Sequence, residues 1–356
     1  METASSPDRQ PRGPQPALLS VHDPRWVRFV ATHEGVLPYH HPAWSDVLSE
    51  AYGFRSFVFA LVGPAGDVQA GVPLAEVRSP VRRRRWVALP FTDVMPPLLG
   101  TADASEFTHA LELAGRDAGA ASVEVRASVP HPRAHSRADA VLHTLGLRPE
   151  PNEVFSTFHR SQVQRNIRRA VREGVTVRGA EREDDLARTF YALHVATRHR
   201  LGVPVQPRRF FKLLWRRLID AGHGFVLLAE AQDGSPVAGA VFLTSPRAVT
   251  YKFGASDSAA WGLRPNHLLF WTAIARACEA GYERFDFGRT DLEDEGLRAF
   301  KSGWGTVEEP LVYTTLAERP PTEARGRAAH AVRGILQRSP AIVSRAAGAL
   351  LYRYAA

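Results

Sequence analysis

"FVFALVGPAGDVQAGVPLAEVRS" fills residues 57–79, and "FVLLAEAQDGSPVAGAVFLTSPR" fills residues 225–247. The two align without a gap: Phe57 falls on Phe225, Gly66 on Gly234, and Ala70-Gly71 on Ala238-Gly239. Each is a strand rich in β-branched and aromatic residues, a glycine turn and a second strand, the pattern of a hairpin. The flanks repeat as well. Helical patterns at Asp23 to about His33 and Pro42 to about Tyr52 precede the first copy; Asp184 to about Arg200 and Pro207 to about Ala221 precede the second. After the first come a strand near Trp86–Leu89, a helix near Ala104–Ala118 and the strand "ASVEVRAS". After the second come "AVTYKFGAS", a helix over Pro265–Ala280 and "ERFDFG". One order of elements met twice predicts two copies of an α/β unit, joined near residues 150–160.

A chain of 356 residues suits two domains, and its 44% hydrophobic and 23% charged content is ordinary for a soluble globular protein. Lys plus Arg number 45 against 37 Asp plus Glu, a formal charge of +8 carried almost wholly by Arg. Such an excess suits a polyanionic partner, or reflects only an arginine-rich coding habit. The single cysteine, Cys278, excludes an intrachain disulfide and a cysteine-rich metal site, and its apolar surroundings predict a core residue. Residues 1–20 are polar and proline-rich with no signal-peptide core, which predicts a disordered leader and a cytoplasmic protein. No window is apolar enough for a membrane span. The expected divisions are a first unit at 21–155, a second at 156–319 and a basic amphipathic helical tail at 320–356. Split at Pro340, that tail suits peripheral contact with an anionic membrane, RNA, or the protein's own body.

Four stretches could carry chemistry. In "SQVQRNIRRAVREG" (161–174), Val163, Ile167 and Ala170 or Val171 form an apolar stripe, leaving Arg165, Arg168, Arg169 and Arg172 as a cationic ridge. The ridge could hold phosphates or could be a solvated helix face. Around Gly202-Val203-Pro204, the arginines Arg198, Arg200, Arg208 and Arg209 flank a loop suited to binding. Pro265 fits a first helical position, so a helix N-terminus at Arg264, Asn266 and His267 can attract an anion, although His267 suits a partly buried helix residue better than a base. In "FDFGRTDLEDEGLRAFKSGWG" (285–305), Leu292, Gly296, Leu297 and Phe300 predict the core face of a short helix with acids at its start and Lys301 in its last turn. Lys301 could merely complement the helix dipole. If Phe300 and Trp304 shield it, it could serve as a catalytic cation. Asp286, and Asp93 in "LPFTDVMPP", are the carboxylates available as bases, each explicable structurally too.

"HPAWSDVLSEAYGF", "SQVQRNIRRAVREGVTVR", "WGLRPNHLLFWTAIARACEAGYERFDFG" and "GLRAFKSGWG", taken with the element order, resemble the Fem family of peptidyltransferases from about His22 to Leu316. The resemblance implies an α/β (α+β) fold of two tandem GNAT-like units, each a mixed, mostly antiparallel sheet flanked by helices. It implies transfer of an amino acid from aminoacyl-tRNA onto an amine, with Phe300-Lys301 in the transfer step, Arg198 or Arg208 on a substrate diphosphate, and no metal or cofactor. The chain departs from the family in having no lysine in "WSDVLSEAYGF" and no coiled-coil arm, which points to an acceptor such as an amino sugar, another envelope precursor or a small natural product. Its "LRPNHL" also replaces the glycine-rich phosphate loop of acyl-CoA enzymes. Two alternatives stay open: an acyl-CoA-dependent N-acyltransferase of envelope polysaccharide synthesis, and a non-catalytic binding protein with the same fold.

Overall fold

The computed structural model describes residues 13–78 and 83–320, with Ser339, Gly348 and Tyr352 beyond them. The first half supplies β1 (Gln15–Leu19), β2 (Arg55–Val62), β3 (Val68–Arg78), β4 (Arg84–Val87), β5 (Leu98–Leu99), β6 (Val123–Val125) and β7 (Ala134–Gly146). The second supplies β8 (Thr176–Gly179), β9 (Gly224–Glu230), β10 (Pro236–Ser245), β11 (Ala248–Ser256), β12 (Arg284–Asp291) and β13 (Val307–Leu316). Helices α1 (Pro24–Thr32), α2 (Pro42–Tyr52) and α3 (Ala104–Asp117) lie in the first half, followed by α4 (Pro151–Thr157) and α5 (Arg165–Arg172). The rest are α6 (Tyr191–Leu201), α7 (Arg208–Leu214), α8 (Pro265–Glu279) and α9 (Glu295–Ser302).

The repeat holds, and its glycines explain why. β2–β3 and β9–β10 are the two antiparallel hairpins. Gly66 and Gly234 take φ of 82° and 81° in their turns, a conformation glycine adopts without steric cost. A Cβ on Gly71 would come within 2.7 Å of the Trp26 ring of α1, and one on Gly239 within 2.9 Å of the Phe190 ring just before α6. In both units a bare backbone lets a helix lie flush on the hairpin. Each hairpin then pairs antiparallel with a further strand, which runs parallel to the next: β3–β4 with β6, and β10–β11 with β12.

The two units do not close separately. Among the described residues all thirteen strands form one sheet, ordered β1-β2-β3-β4-β6-β13-β7-β12-β11-β10-β9-β8, with β5 beside β3. Strand β7, from the first half, pairs with β12 of the second; β13, from the second half, lies between β7 and β6. The chain therefore crosses the expected boundary near residue 155 in both directions. A shared apolar cluster reinforces the join: Trp44 and Tyr52 of α2 meet Phe210 of α7 at 6.2 and 5.7 Å between ring centroids.

The disordered leader expected through residue 20 ends sooner, because Gln15–Leu19 pair with β2 from Val62 to Val58. Residues 1–12 and, apart from Pro320, Ser339, Gly348 and Tyr352, the expected tail lie outside the described residues. Tyr352 is buried, stacked on Tyr52 at 5.8 Å and edge-on to Phe91 at 5.1 Å. Cys278 is buried in the core, as its apolar context predicts. No described helix is long and apolar enough to cross a membrane.

Because each half completes the sheet of the other, the halves should unfold together. Denaturant titration followed by tryptophan fluorescence and far-ultraviolet dichroism should give one coincident transition. Two separable transitions would contradict the exchange of β7 and β13.

Candidate active site

Helix α9 buries a different face from the one its apolar spacing predicts. Leu292 and Leu297 are 40% and 37% exposed, Gly296 is exposed and Phe300 is half-buried. The residue α9 buries is Lys301, 2% exposed and about 100° further round the helix than Phe300. An ammonium removed from water costs several kcal/mol unless its N–H groups find acceptors. Lys301 Nζ donates to the carbonyl oxygens of Gly288 at 2.8 Å and Arg289 at 3.1 Å. An irregularity in β12 presents those oxygens: the register against β7 shifts between Asp286 and Arg289, and Gly288 has φ 71°. Burial pushes the Lys301 ammonium down to about 8, against the pull of Asp93, Asp286 and Asp294. Asp294 caps α9 by accepting from the Leu297 N–H at 3.0 Å, so part of the acidic run serves the helix start as expected.

Asp286 occupies the last position at which β12 pairs with the parallel strand β11, opposite Thr250. Its Oδ1 accepts from the Gly288 N–H at 2.7 Å, and the residue is 8% exposed. Burial pushes its carboxyl up to about 6; the Gly288 N–H opposes the rise, Asp93 adds to it and Lys301 opposes it. Asp93 arrives from the other unit, on the loop between β4 and β5. Its Oδ2 lies 3.1 Å from where a Cβ on Gly288 would sit, so position 288 has a second reason to be glycine.

Three of the four catalytic candidates thus converge where the units join. The fourth, Phe300, packs edge-on to His267 at 5.3 Å and to Phe270 at 5.8 Å and forms a wall beside them. Sequence reasoning missed Lys252, Tyr39, Arg126 and Tyr313, which complete the centre. Lys252 and Tyr39 both interact electrostatically with Asp93 and Asp286. The Tyr313 hydroxyl donates to the Asp93 carbonyl at 2.9 Å, and the Arg126 guanidinium lies 5.4 Å over the Tyr313 ring. A lone lysine inside the aromatic strand "TYKFG" was the available signal. A lysine has three N–H donors, and two of those on Lys301 are engaged. A buried ammonium with one donor in reserve, beside two carboxyls, can stabilise an oxyanion and move a proton.

Comparisons with known proteins agree with this architecture. Residues 157–302 match the family described as acetyltransferase (GNAT) domain. The lipid II:glycine glycyltransferase of Staphylococcus haemolyticus is 35% identical over 86 residues, which is 22% of this chain and 20% of that protein. Its Staphylococcus aureus counterpart is 34% identical over 83 residues, with the same shares. The chain thus spans about a fifth of the length of these curated relatives. The crystal structure of FemX superposes with a TM-score of 0.68 at 16% identity, covering 84% of this chain and 96% of that one. L-PGS from Bacillus licheniformis superposes with a TM-score of 0.55 at 15% identity, covering 90% and 99%. At such identities the structural likeness is one of fold. The chain has the fold of FemX, and its second half matches a GNAT domain.

The expected substrate-binding residues fall into separate groups. Arg198 is committed to structure, whereas Arg208 makes one backbone bond and keeps its guanidinium half exposed. Arg198 donates to the Pro204 carbonyl at 3.0 Å and the Tyr352 hydroxyl at 2.7 Å, and Arg208 to the Ala187 carbonyl at 2.7 Å, with Asp184 at 3.8 Å. Trp304, expected among the substrate contacts, is fully buried against Phe158 at 5.1 Å and is a core residue. His267 stacks on Trp304 at 6.1 Å, and burial pushes it down to about 4, so it is a neutral wall residue. Arg264 takes a left-handed φ of 61° before Pro265, and Asn266 Nδ2 lies 3.4 Å from Ser256 Oγ. Val163 just before α5 and Ile167 and Ala170 on it are buried, while Val171 is 59% exposed. Arg168 lies 5.5 Å over the Phe155 ring, and Arg169 pairs with Glu173 at 3.5 Å. Arg165, together with Arg160 and Arg172, is exposed and has no ion-pair partner among the described residues. This ridge begins beside the turn after Lys301, where the His159 N–H donates to the Gly303 carbonyl at 2.8 Å.

A carboxyl whose pKa rises on folding contributes stability that is present below its ordinary pKa and lost as pH rises through the folded value. For Asp286 that window runs from about 4 to about 6. Asp286→Asn keeps an acceptor for the Gly288 N–H and removes the charge. The variant should gain on the parent across this window, reaching on the order of 2 kcal/mol above pH 7. Equal pH dependence of melting in the two proteins would show that Asp286 is not held in a low-dielectric centre.

Proposed function

We propose that this protein is an aminoacyltransferase: it moves an aminoacyl group, carried as an ester on tRNA, to the amine of an envelope precursor, an amino sugar or a natural product. The observation that carries the proposal is the buried Lys301 ammonium set beside Asp286 and Asp93. An amine attacks the ester carbonyl, forming the C–N bond. The oxyanion accepts from the Lys301 N–H that no backbone oxygen engages. The proton leaving the attacking nitrogen passes to the carboxylate pair and then to the departing ribose oxygen as the ester C–O bond breaks. Asp286, with its carboxyl raised to about 6, is mostly ionised at neutral pH and still basic enough to accept that proton. Alignment of two activated reactants can supply roughly 7–11 kcal/mol, and a donor aimed at the oxyanion about 3–4 kcal/mol more. The unpartnered Arg160, Arg165 and Arg172 suit a polyanionic donor. The glycyltransferase names of the curated relatives favour the same chemistry.

One observation favours a second reading, an acyl-CoA donor. The N-terminus of the 15-residue helix α8 has no side-chain cap and leaves the Asn266 N–H open, a donor that could receive a phosphate oxygen. The acetyltransferase description of the matching family agrees with it.

Labelled aminoacyl-tRNA pools and labelled acetyl-CoA, offered to the purified protein with mixed amine acceptors, separate the two. The expected result is transfer from tRNA, with log affinity falling against log salt at a slope of about −3 or steeper. A slope near zero for charged tRNA, with saturable transfer from acetyl-CoA, would overturn the proposal in favour of the second reading.

A further inference from the structure

Lys252 sits where β11 breaks register. Val241 of β10 pairs with Phe253 and the next residue, Phe242, with Tyr251, which leaves Lys252 without a partner. Such a bulge re-aims the side chain of the extra residue. Here the ammonium is carried across to the first unit, where Nζ donates to the Phe91 carbonyl at 2.5 Å. It lies 5.0 and 5.4 Å from the rings of Tyr39 and Trp44.

The segment it holds is unusual. Leu89 and Phe91 take φ of 43° and 62°, a region that non-glycine residues occupy only when their surroundings impose it. The surroundings are specific. The carbonyls of Phe91, Thr92 and Asp93, three residues in a row, each accept from a side chain on a different element: Lys252 on β11, Arg126 just after β6 and Tyr313 on β13. The Thr92 hydroxyl also closes the turn onto the Leu89 carbonyl at 2.8 Å. These contacts hold the Asp93 carboxylate beside Gly288 and Asp286.

A neutral donor could have bonded the Phe91 carbonyl without the cost of burying a charge. The ammonium adds a field. Lys252 faces Asp93 and Asp286 as well as Arg126; Asp286 also faces Asp93, Lys301, Arg284 and Tyr39; and Asp93 also faces Lys301, Tyr39, Tyr251 and Tyr313. We infer that Lys252 is a positioning residue that clamps the Asp93 loop across the junction and, by its charge, favours the ionised form of Asp286. The kinetic consequence rests on the proton-transfer role proposed for that pair; the electrostatic claim does not.

The test is a carbon-13 titration of protein labelled at aspartate carboxyls, with the Asp286 signal assigned by its loss in Asp286→Asn. In Lys252→Met and in Lys252→Gln the Asp286 midpoint should move up measurably, because a cation that favoured the ionised form is gone. An unmoved midpoint in both variants overturns the inference. So does a shift in Lys252→Met that Lys252→Gln abolishes, since glutamine can restore a donor but not the charge. If neither variant folds, the same coupling is read in reverse from Lys252 Nζ in nitrogen-15 lysine-labelled protein. Its titration should move down in Asp93→Asn, and an unmoved Nζ overturns the inference. A shifted Asp286 midpoint in a protein that transfers no acyl group would retain the role of Lys252 and reject the proposed function.

Discussion

The Lys301 ammonium, bonded to two backbone oxygens inside the protein, constrains more of the structure than any other single group. Burying it requires acceptors, and the acceptors come from a strand that must break its own ladder to supply them. That break requires a residue able to take a positive φ and to leave room for a carboxylate arriving from the other unit, and Gly288 meets both demands. The carboxylates then offset part of the cost of the buried cation, while the burial that raises Lys301's cost also raises that of Asp286. Neither charge is comfortable alone, and the pair is held in place by the fold around it.

The fold provides that hold by refusing to separate into two bodies. Asp93 belongs to one unit; Asp286, Lys252 and Lys301 belong to the other. Their mutual placement depends on the exchange of β7 and β13, which welds the sheets edge to edge, and on the aromatic packing of α2 against α7. A tandem protein whose halves rocked freely could not keep a carboxylate oxygen 3.1 Å from the Cβ position of Gly288. The rigidity of the junction and the chemistry assigned to it are therefore one requirement.

Much of this was legible in the sequence, for identifiable reasons. The two hairpins declared themselves because turn glycines and flush-packed glycines are imposed by local geometry, and local geometry repeats with the sequence. Asp93, Asp286 and Lys301 could be singled out because charged residues among aromatics and glycines are conspicuous. The exchange of strands was not legible, since β7 and β13 alternate like ordinary strands and nothing in an alternating pattern names its partner. The buried face of α9 was misjudged for a related reason: apolar spacing assumes that helices bury apolar residues, and here hydrogen bonds to Gly288 and Arg289 paid to bury a lysine while Leu292 and Leu297 stayed outside. Arg198 resembled a phosphate ligand because arginines beside a loop look alike whether they await a phosphate or, as here, hold a backbone carbonyl.

The account stands or falls on whether the buried cation acts on the reaction or only on the fold. The most direct measurement is kcat for aminoacyl transfer by Lys301→Met, which keeps the stem of the side chain and removes the ammonium, alongside the variant's unfolding transition. Some stability must be lost, because two buried carbonyls lose their donor. If Lys301 stabilises the oxyanion, kcat falls by about a hundredfold to a thousandfold in protein that still unfolds cooperatively well above the assay temperature. Turnover equal to the parent's in that folded variant would contradict the account and reduce Lys301 to a strut beneath the β12 irregularity.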